Sequence, residues 1–425
     1  MSSLVLKMAW ASLARRPTRS LLVVLMIAVS LWGLLLMQGI YDGMTEQMIS
    51  NAIRSDAGHL SIFARGYRLD PSLDLLVEPE QGPAQEVAGG LGNEGPGLAA
   101  SLAADPRVAS HVVRLRQNGL VATSHYSRHA EIIGVELEGE QLQGRLADYL
   151  TTGKYDFGPK GKGAIIGHKL AAKLQVRLGG KIVVSAQDRA GELAGTALRV
   201  SGIIRTNNMG LDENAVFIDL ARARGLLGVE SGVSQLALLL AKGYGEEDLA
   251  ALQGELRAGW PDLAVSRWDE LYPALMQSRV LMRGFSLVVS GLVFGVAGLG
   301  IFGVMLVSVL ERLREFGIML AIGAGLNTIR KTILLESLLM GLAGFLAGAL
   351  AGGLSLLYFR RFGLDLSVFS EALAEFGMDA VTYAIIRFSY FSEALAAVIL
   401  ATLVSVYFSL RVLGRSRPMA VINKG

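Results

Sequence analysis

Residues Phe285 to Leu310 read FSLVVSGLVFGVAGLGIFGVMLVSVL, and Glu311 to Ala324 continue as ERLREFGIMLAIGA. The first stretch carries no charge and is longer than the roughly 20 apolar residues a helix needs to cross a bilayer. A further long apolar stretch, Thr332 to Tyr358, follows almost at once. Glu311 to Ala324 is therefore a charged turn and short amphipathic helix held in a tight loop between two membrane spans. It reads as a handle on which another protein pulls.

Two more apolar blocks occur. Leu21 to Ile40 has no charge, and Ala394 to Leu410 reaches spanning length if Tyr390 and Phe391 sit at the interface. The apolar fraction of 52% is high and the charged fraction of 18% is low for a soluble protein. A chain of 425 residues has room for two or three domains. Lys7, Arg15, Arg16 and Arg19 before the first block resemble a signal-peptide n-region, but Met37 to Tyr41 offers no small-x-small cleavage site, so an uncleaved anchor is expected. The absence of cysteine excludes disulfides, thiolate metal sites and anchoring through an acylated cysteine.

Basic residues set the orientation. They cluster before the first span, in the loop between the second and third (Arg312, Arg314, Arg330, Lys331) and in the tail (Arg411, Arg415, Arg417, Lys424). Between the third and fourth spans, Arg360, Arg361 and Arg387 are balanced by Asp365, Glu371, Glu375 and Asp379. Both termini and the ERLREFG loop are thus expected in the cytoplasm, with Asp42 to Arg279 on the far side. The net charge of +3 reflects this topology and gives no case for nucleic-acid binding.

The expected layout is an amphipathic elbow helix at 1–20, broken from the first span near Pro17. Spans follow at 21–41, 281–310, 332–358 and 391–413, with a mixed α+β domain and its stalks at 42–280, a coupling loop at 311–331, a short loop at 359–390 and a tail at 414–425. Met44 to Arg54 keeps helical spacing past the first span, and Leu271 to Met282 reads as a returning stalk. Within the domain, alternation predicts strands at His59–Phe63, Gly119–Thr123, Ile132–Val135, Lys181–Ser185, Leu198–Ile204 and Val216–Ile218. Helices are predicted at Leu170–Leu178, Leu220–Leu227 and Glu246–Gly259, and the glycine-rich Gln81–Ala100 reads as a loose loop.

Catalytic patterns are lacking. The run Gly158 to Gly163 has no terminal Gly-Lys-Ser/Thr and reads as a turn rather than a P-loop. His125 and His129 have i, i+4 spacing but no third ligand, so no metal is expected. Ser124-His125 and the scattered aspartates form no nucleophile constellation, and the chain is not expected to be an enzyme itself.

In a helix starting near Arg314, the residues Phe316, Met319, Leu320 and Gly323 share a face, with Arg312 and Arg314 near its start. Gly317, Gly323, Ala321 and Ala324 keep it slim enough for a partner to close around it. A plain amphipathic connector lying on the membrane is the competing reading. The segment resembles the coupling-helix signature of the ABC-transporter permease superfamily that contains FtsX, MacB and LolC/LolE. Glu311, Arg312, Arg314, Glu315, Gly317, Ile318, Met319, Ala321, Gly323 and Ala324 match it in type, while Leu313 and Leu320 depart from it. The order of elbow, span, large domain and three further spans resembles the same superfamily over nearly the whole chain. So do Gly163–Leu178 with the Gly179-Gly180-Lys181 turn, Arg199–Ile204, Asp212–Leu220 and Ile133–Glu136.

The resemblance implies an α-helical membrane protein with four transmembrane helices and a large α+β periplasmic domain inserted between the first and second. It implies a permease of the type VII, mechanotransmission class, in the bacterial inner membrane, closest in layout to LolC/LolE lipoprotein-release permeases. The chain itself would bind no cofactor. ATP and Mg would sit on a separate, LolD-like ABC ATPase dimer, and a second permease copy or a related permease would complete the complex. Lipoproteins would leave the outer leaflet for a periplasmic lipoprotein carrier, through a groove for membrane lipid assigned to Met37, Ile40, Met44, Leu281 and Phe285. Alternatives are an exporter of peptides, antibiotics or other lipids, and an FtsX-like signal to a cell-wall hydrolase.

Overall fold

A computed structural model describes residues 17–80, 84–87, 90–93, 97–144, 146–158, 160–206, 208–321, 323, 325–375 and 378–415. Most of the elbow at 1–20, the end of the tail and Ala324 lie outside these described residues. The chain divides into two compact units, one built from residues up to Thr45, Ser278–Leu366 and Val381 onward, the other from Glu46–Gln277 and Ser367–Ala380.

Among the described residues four helices of the first unit, Pro17–Ala52, Pro273–Glu311, Leu326–Phe362 and Phe388–Arg415, each have a stretch long and apolar enough to cross a membrane. The second helix has 39 residues and is therefore about 58 Å long at 1.5 Å per residue. A hydrocarbon core of about 30 Å accounts for only half of it. All four helices contribute to one apolar core, among them Val23 and Ile27, Ile301 and Met305, Ile333 and Met340, and Val398 and Val406. A second core joins Leu31, Leu35, Leu356, Tyr390 and Ala394.

Lipid tails are as apolar as leucine, so spanning helices associate by close packing rather than by the hydrophobic effect. Gly344, Gly348 and Gly352 make that packing possible by forming one stripe along the third helix. A Cβ at Gly348 would stand 2.7 Å from the Ala28 carbonyl oxygen, and one at Gly344 would stand 2.7 Å from Ile27 Cβ. The first helix therefore approaches the third almost backbone to backbone. Gly348→Ala is expected to destabilise the bundle by about 1–3 kcal/mol, the usual cost of overpacking. Gly353→Ala, whose added methyl would meet Phe391 at an ordinary 3.8 Å, is expected to be neutral. Melting of the two variants in detergent checks this: equal melting temperatures would disprove the close contact.

The second unit is an α/β domain around a ten-stranded sheet. Its strand order is Leu263–Arg267, Leu60–Ala64, Gln235–Leu240, Val108–Ala122, Ser127–Val135, Ala215–Asp219, Gly163–Gly167, Leu193–Ile204 and Leu150–Gly153, with Lys181–Gln187 pairing to Val108–Ala122 and Leu193–Ile204. Ala215–Asp219 runs parallel to Ser127–Val135 and Gly163–Gly167 parallel to Leu193–Ile204. The 15-residue strand Val108–Ala122 is long enough to pair with three neighbours, which makes it the spine of the domain. Helix Glu246–Gly259 seals the end of the sheet that contains Leu60, Ile62, Leu236 and Leu238, through Leu249, Leu252 and Leu256. Helices His168–Lys173 and Leu220–Leu227 cover a second core with Leu115, Ile132, Val184 and Val216.

Two local readings are revised. Leu170, Leu174 and Leu178 mimic a helical repeat, but the helix runs only over His168–Lys173. Gln175 adopts φ 51°, in the left-handed region, so the helix cannot continue, and Leu178 ends up exposed. In the segment read as a loose loop, Ala84–Val87 pairs with Gly90–Asn93 as a hairpin and Leu98–Ala104 is a helix anchored by buried Leu98 and Leu102.

Candidate functional site

The loop between the second and third spanning helices folds as a separate helix, Leu313–Ala321. The second helix stops at Glu311, and Arg312 forms a turn whose backbone N–H donates to the Val309 carbonyl at 3.2 Å. Its own carbonyl accepts from Phe316 N–H at 3.0 Å, starting the new helix. Gly323, at φ 93°, supplies the left-handed turn after the helix, a position at which other residues are strained.

One side of this helix belongs to the bundle. Phe316 is 4% exposed, in the same core as Met305, Ile329 and Ile333, and Met319 packs against that core half-buried. Arg312 fixes the helix electrostatically: its Nη1 donates to Glu336 Oε2 of the third helix at 2.9 Å and its Nε to Glu315 Oε2 at 3.2 Å. Its guanidinium also lies 5.1 Å from the Phe316 ring centroid, a cation–π distance. Glu336 is buried, so the Arg312 bond is made where competition from water is weak.

The other side is open. Glu311, Arg314, Glu315, Ala321 and Gly323 are exposed, and Ile318 is 58% exposed. A Cβ built on Gly317 would meet nothing within 4 Å. Of the face grouped by spacing, Phe316 and Met319 point into the bundle and Gly323 is exposed, while the outward side of the helix carries Arg314, Gly317, Ile318 and Ala321. Glu336 was invisible as a site residue. The only sequence signal for it was a single carboxylate inside an otherwise apolar span, which requires a partner. The four-residue glycine period of the third helix was a second unread signal.

The five residues assigned to a lipid groove are not brought together. An apolar groove of about 420 Å³ does lie between the first and second helices, lined by Val29, Gly33, Leu34, Met37, Leu292 and Val296 among others. Met37 lines it. Ile40 packs against the core of Leu31 and Leu35, Met44 is half-buried, and Leu281 and Phe285 are exposed some turns away along the second helix.

The remaining motifs are structural. Gly158 and Gly161 take positive φ, and Gly163 N–H closes the turn on the Phe157 carbonyl at 2.8 Å. His125 lies in the hairpin turn after Val108–Ala122, while His129 sits in the next strand opposite Leu120. Among the described residues no group of three or more His, Asp or Glu is placed to hold a metal.

Comparison with known proteins supplies the context. Residues 20–258 match the family described as the MacB-like periplasmic core domain, and residues 287–418 match the FtsX-like permease C-terminal family. A macrolide export ATP-binding/permease protein MacB of Photorhabdus laumondii subsp. laumondii is 36% identical over 89 residues, which is 21% of this chain and 14% of that protein. MacB 1 of Yersinia pestis bv. Antiqua is 32% identical over 126 residues, 29% of this chain and 19% of the relative. The chain thus aligns with less than a fifth of the length of each. The crystal structure of the periplasmic region of MacB from Actinobacillus actinomycetemcomitans is similar at 12% identity and a TM-score of 0.35, over 53% of this chain and 95% of that one.

Proposed function

Because the chain belongs to the FtsX/MacB family of ABC-type permeases, we propose that it is the membrane subunit of a transporter driven by a separate ABC ATPase that seats on the outward face of Leu313–Ala321. Permeases of this family work with an ABC ATPase. The observation that carries the docking site is the division of the helix. Arg312 and Phe316 tie it to the bundle, while Ile318 and Gly317 leave an exposed, slim and partly apolar face for a partner. Any force applied to that face enters the third spanning helix through Glu336 as well as the second through the chain. The positive-inside pattern supports a reading in which this face and both termini are cytoplasmic and the α/β unit is periplasmic, in a bacterial inner membrane.

The cargo has two readings. The named relatives are macrolide exporters, which favours outward movement of an amphiphilic small molecule. The apolar groove at Met37 lies within the membrane unit and suits acyl chains, which favours extraction of lipoproteins for a soluble carrier. A photocrosslinking amino acid at Met37, in cells expressing the complex, separates them. Adducts to acylated proteins support extraction, and adducts to a macrolide-type probe support export. Labelling by neither, in a complex that still transports, refutes the groove as a cargo path.

A further inference from the structure

The two long helices enter and leave the α/β unit at a half-buried polar cluster centred on Asp56. Directly after Pro17–Ala52 the chain forms a π-turn, Ile53–Ala57, and then Gly58 at φ 62°. Just before Pro273–Glu311 comes Tyr272. The Asp56 carboxylate accepts hydrogen bonds from Arg116 Nη1 at 2.6 Å and from the Tyr272 hydroxyl. Its backbone carbonyl accepts from Arg114 Nη1 and from Gln235 Nε2, the latter at 3.3 Å.

Both arginines belong to the spine strand Val108–Ala122, and each is held from behind. Arg114, 1% exposed, donates to both oxygens of Glu140 at 2.5 and 2.7 Å, and Arg116 to both of Glu131 at 2.8 and 3.0 Å. Beside the cluster, Ile49, Ile53 and Ala57 pack with Trp268, Tyr272 and Met276, so the entering and leaving segments also touch through apolar contact. Burial and then the Asp56 charge hold the Tyr272 phenol well above its ordinary pKa, which keeps it a proton donor.

We propose that Asp56 is the pin of a transmission joint that fastens both helical connections to the spine strand, so that displacement of the spanning helices moves the α/β unit as one body. This rests on the transporter reading for its purpose. A π-turn followed by a left-handed glycine is a natural place for a helix to bend. Without a clasp, motion arriving along the first helix would be absorbed there. The charge-assisted bond from Arg116 to Asp56, made by a guanidinium that Glu131 holds with two further bonds, is directional enough to prevent it, and the single Asp56 carboxylate serves both connections.

The chain contains no cysteine, so spin labels at introduced cysteines are unique. In the full chain, the pair Glu46→Cys and Leu142→Cys reports the first connection, and Gln277→Cys with Leu142→Cys reports the second; all three positions are exposed. Asp56→Asn is expected to widen both distance distributions at least twofold, and Tyr272→Phe only the second. Unchanged widths in a folded Asp56→Asn protein overturn the proposal. Should that variant not fold, an unchanged second distribution in Tyr272→Phe overturns it. Within the ATPase complex, Tyr272→Phe is expected to keep ATP turnover within twofold and to lose transport at least tenfold, whereas a proportional fall in both overturns the joint. The label widths need neither ATPase nor cargo. A wild-type complex that hydrolyses ATP without moving any cargo would therefore sink the transporter reading while leaving the joint to be judged on the widths.

Discussion

Ile318→Glu is expected to reduce recovery of the ATPase with this chain by at least tenfold while leaving the melting temperature of the permease unchanged. Ile318 is 58% exposed and has no place in the bundle core, so the substitution costs the fold no more than about 0.5 kcal/mol. At a docking surface the same change places a carboxylate where an apolar side chain would be desolvated, and losses at such positions run to about 2–4 kcal/mol. Gly317→Trp is the steric counterpart, since a Cβ there meets nothing within 4 Å and the added ring is expected to obstruct an incoming partner. Affinity purification from cells expressing both proteins measures it. Full recovery of the ATPase with both variants would place the docking surface elsewhere.

Glu336→Ala is expected to produce the opposite phenotype, an ATPase that stays bound and hydrolyses ATP while transport falls at least tenfold. The carboxylate links Arg312, at the start of Leu313–Ala321, to the third spanning helix, and it is buried rather than on the exposed side of that short helix. Removing one member of a buried ion pair costs about 3–5 kcal/mol, reduced here to about 2 because Arg312 is 16% exposed and regains some solvation. The pair of substitutions Arg312→Leu and Glu336→Leu is expected to restore stability without restoring transport, because apolar replacements relieve the unpaired charge but rebuild no directional bond. Melting in detergent together with transport per ATP hydrolysed tests both statements. Retained transport in Glu336→Ala would show that force passes through the second helix alone.

Much of the architecture was legible because membrane spans obey a length rule that tertiary contacts do not alter. The runs at 21–40 and 285–310 contain no charge and are long enough to cross, so each had to become a helix whatever surrounded it. The α/β unit was less legible. Gln235–Leu240 is a central strand whose side chains are mostly buried on both faces, so it shows no alternation to read. Val108–Ala122 was recognisable only at its end, because buried Arg114 and half-buried Arg116 interrupt the apolar alternation by which a strand is read.

The candidate site divided in the same way. Position and charge distinguished Glu311 to Ala324 by topology alone, as a short charged loop between two spans. Which of its residues remain available to a partner was decided by packing. A periodicity of 3.6 groups Phe316 with Met319 but cannot say whether that face meets the bundle or the outside. The bundle core and Glu336 claim Phe316 and Arg312, leaving Ile318 and Gly317 outward.

The sequence by itself determined the number of spans, their order, the place of the large domain and the location of the loop, since these follow from hydropathy and charge acting locally along the chain. Only the tertiary structure decided that Arg312 pairs with Glu336, that Gly348 lies against Ala28, and that Asp56 meets Arg116 and Tyr272. Those partners are separated by tens to hundreds of residues. Nothing local distinguishes a carboxylate that will be buried and paired from one that will stay in water; the difference exists only once the helices and strands have packed.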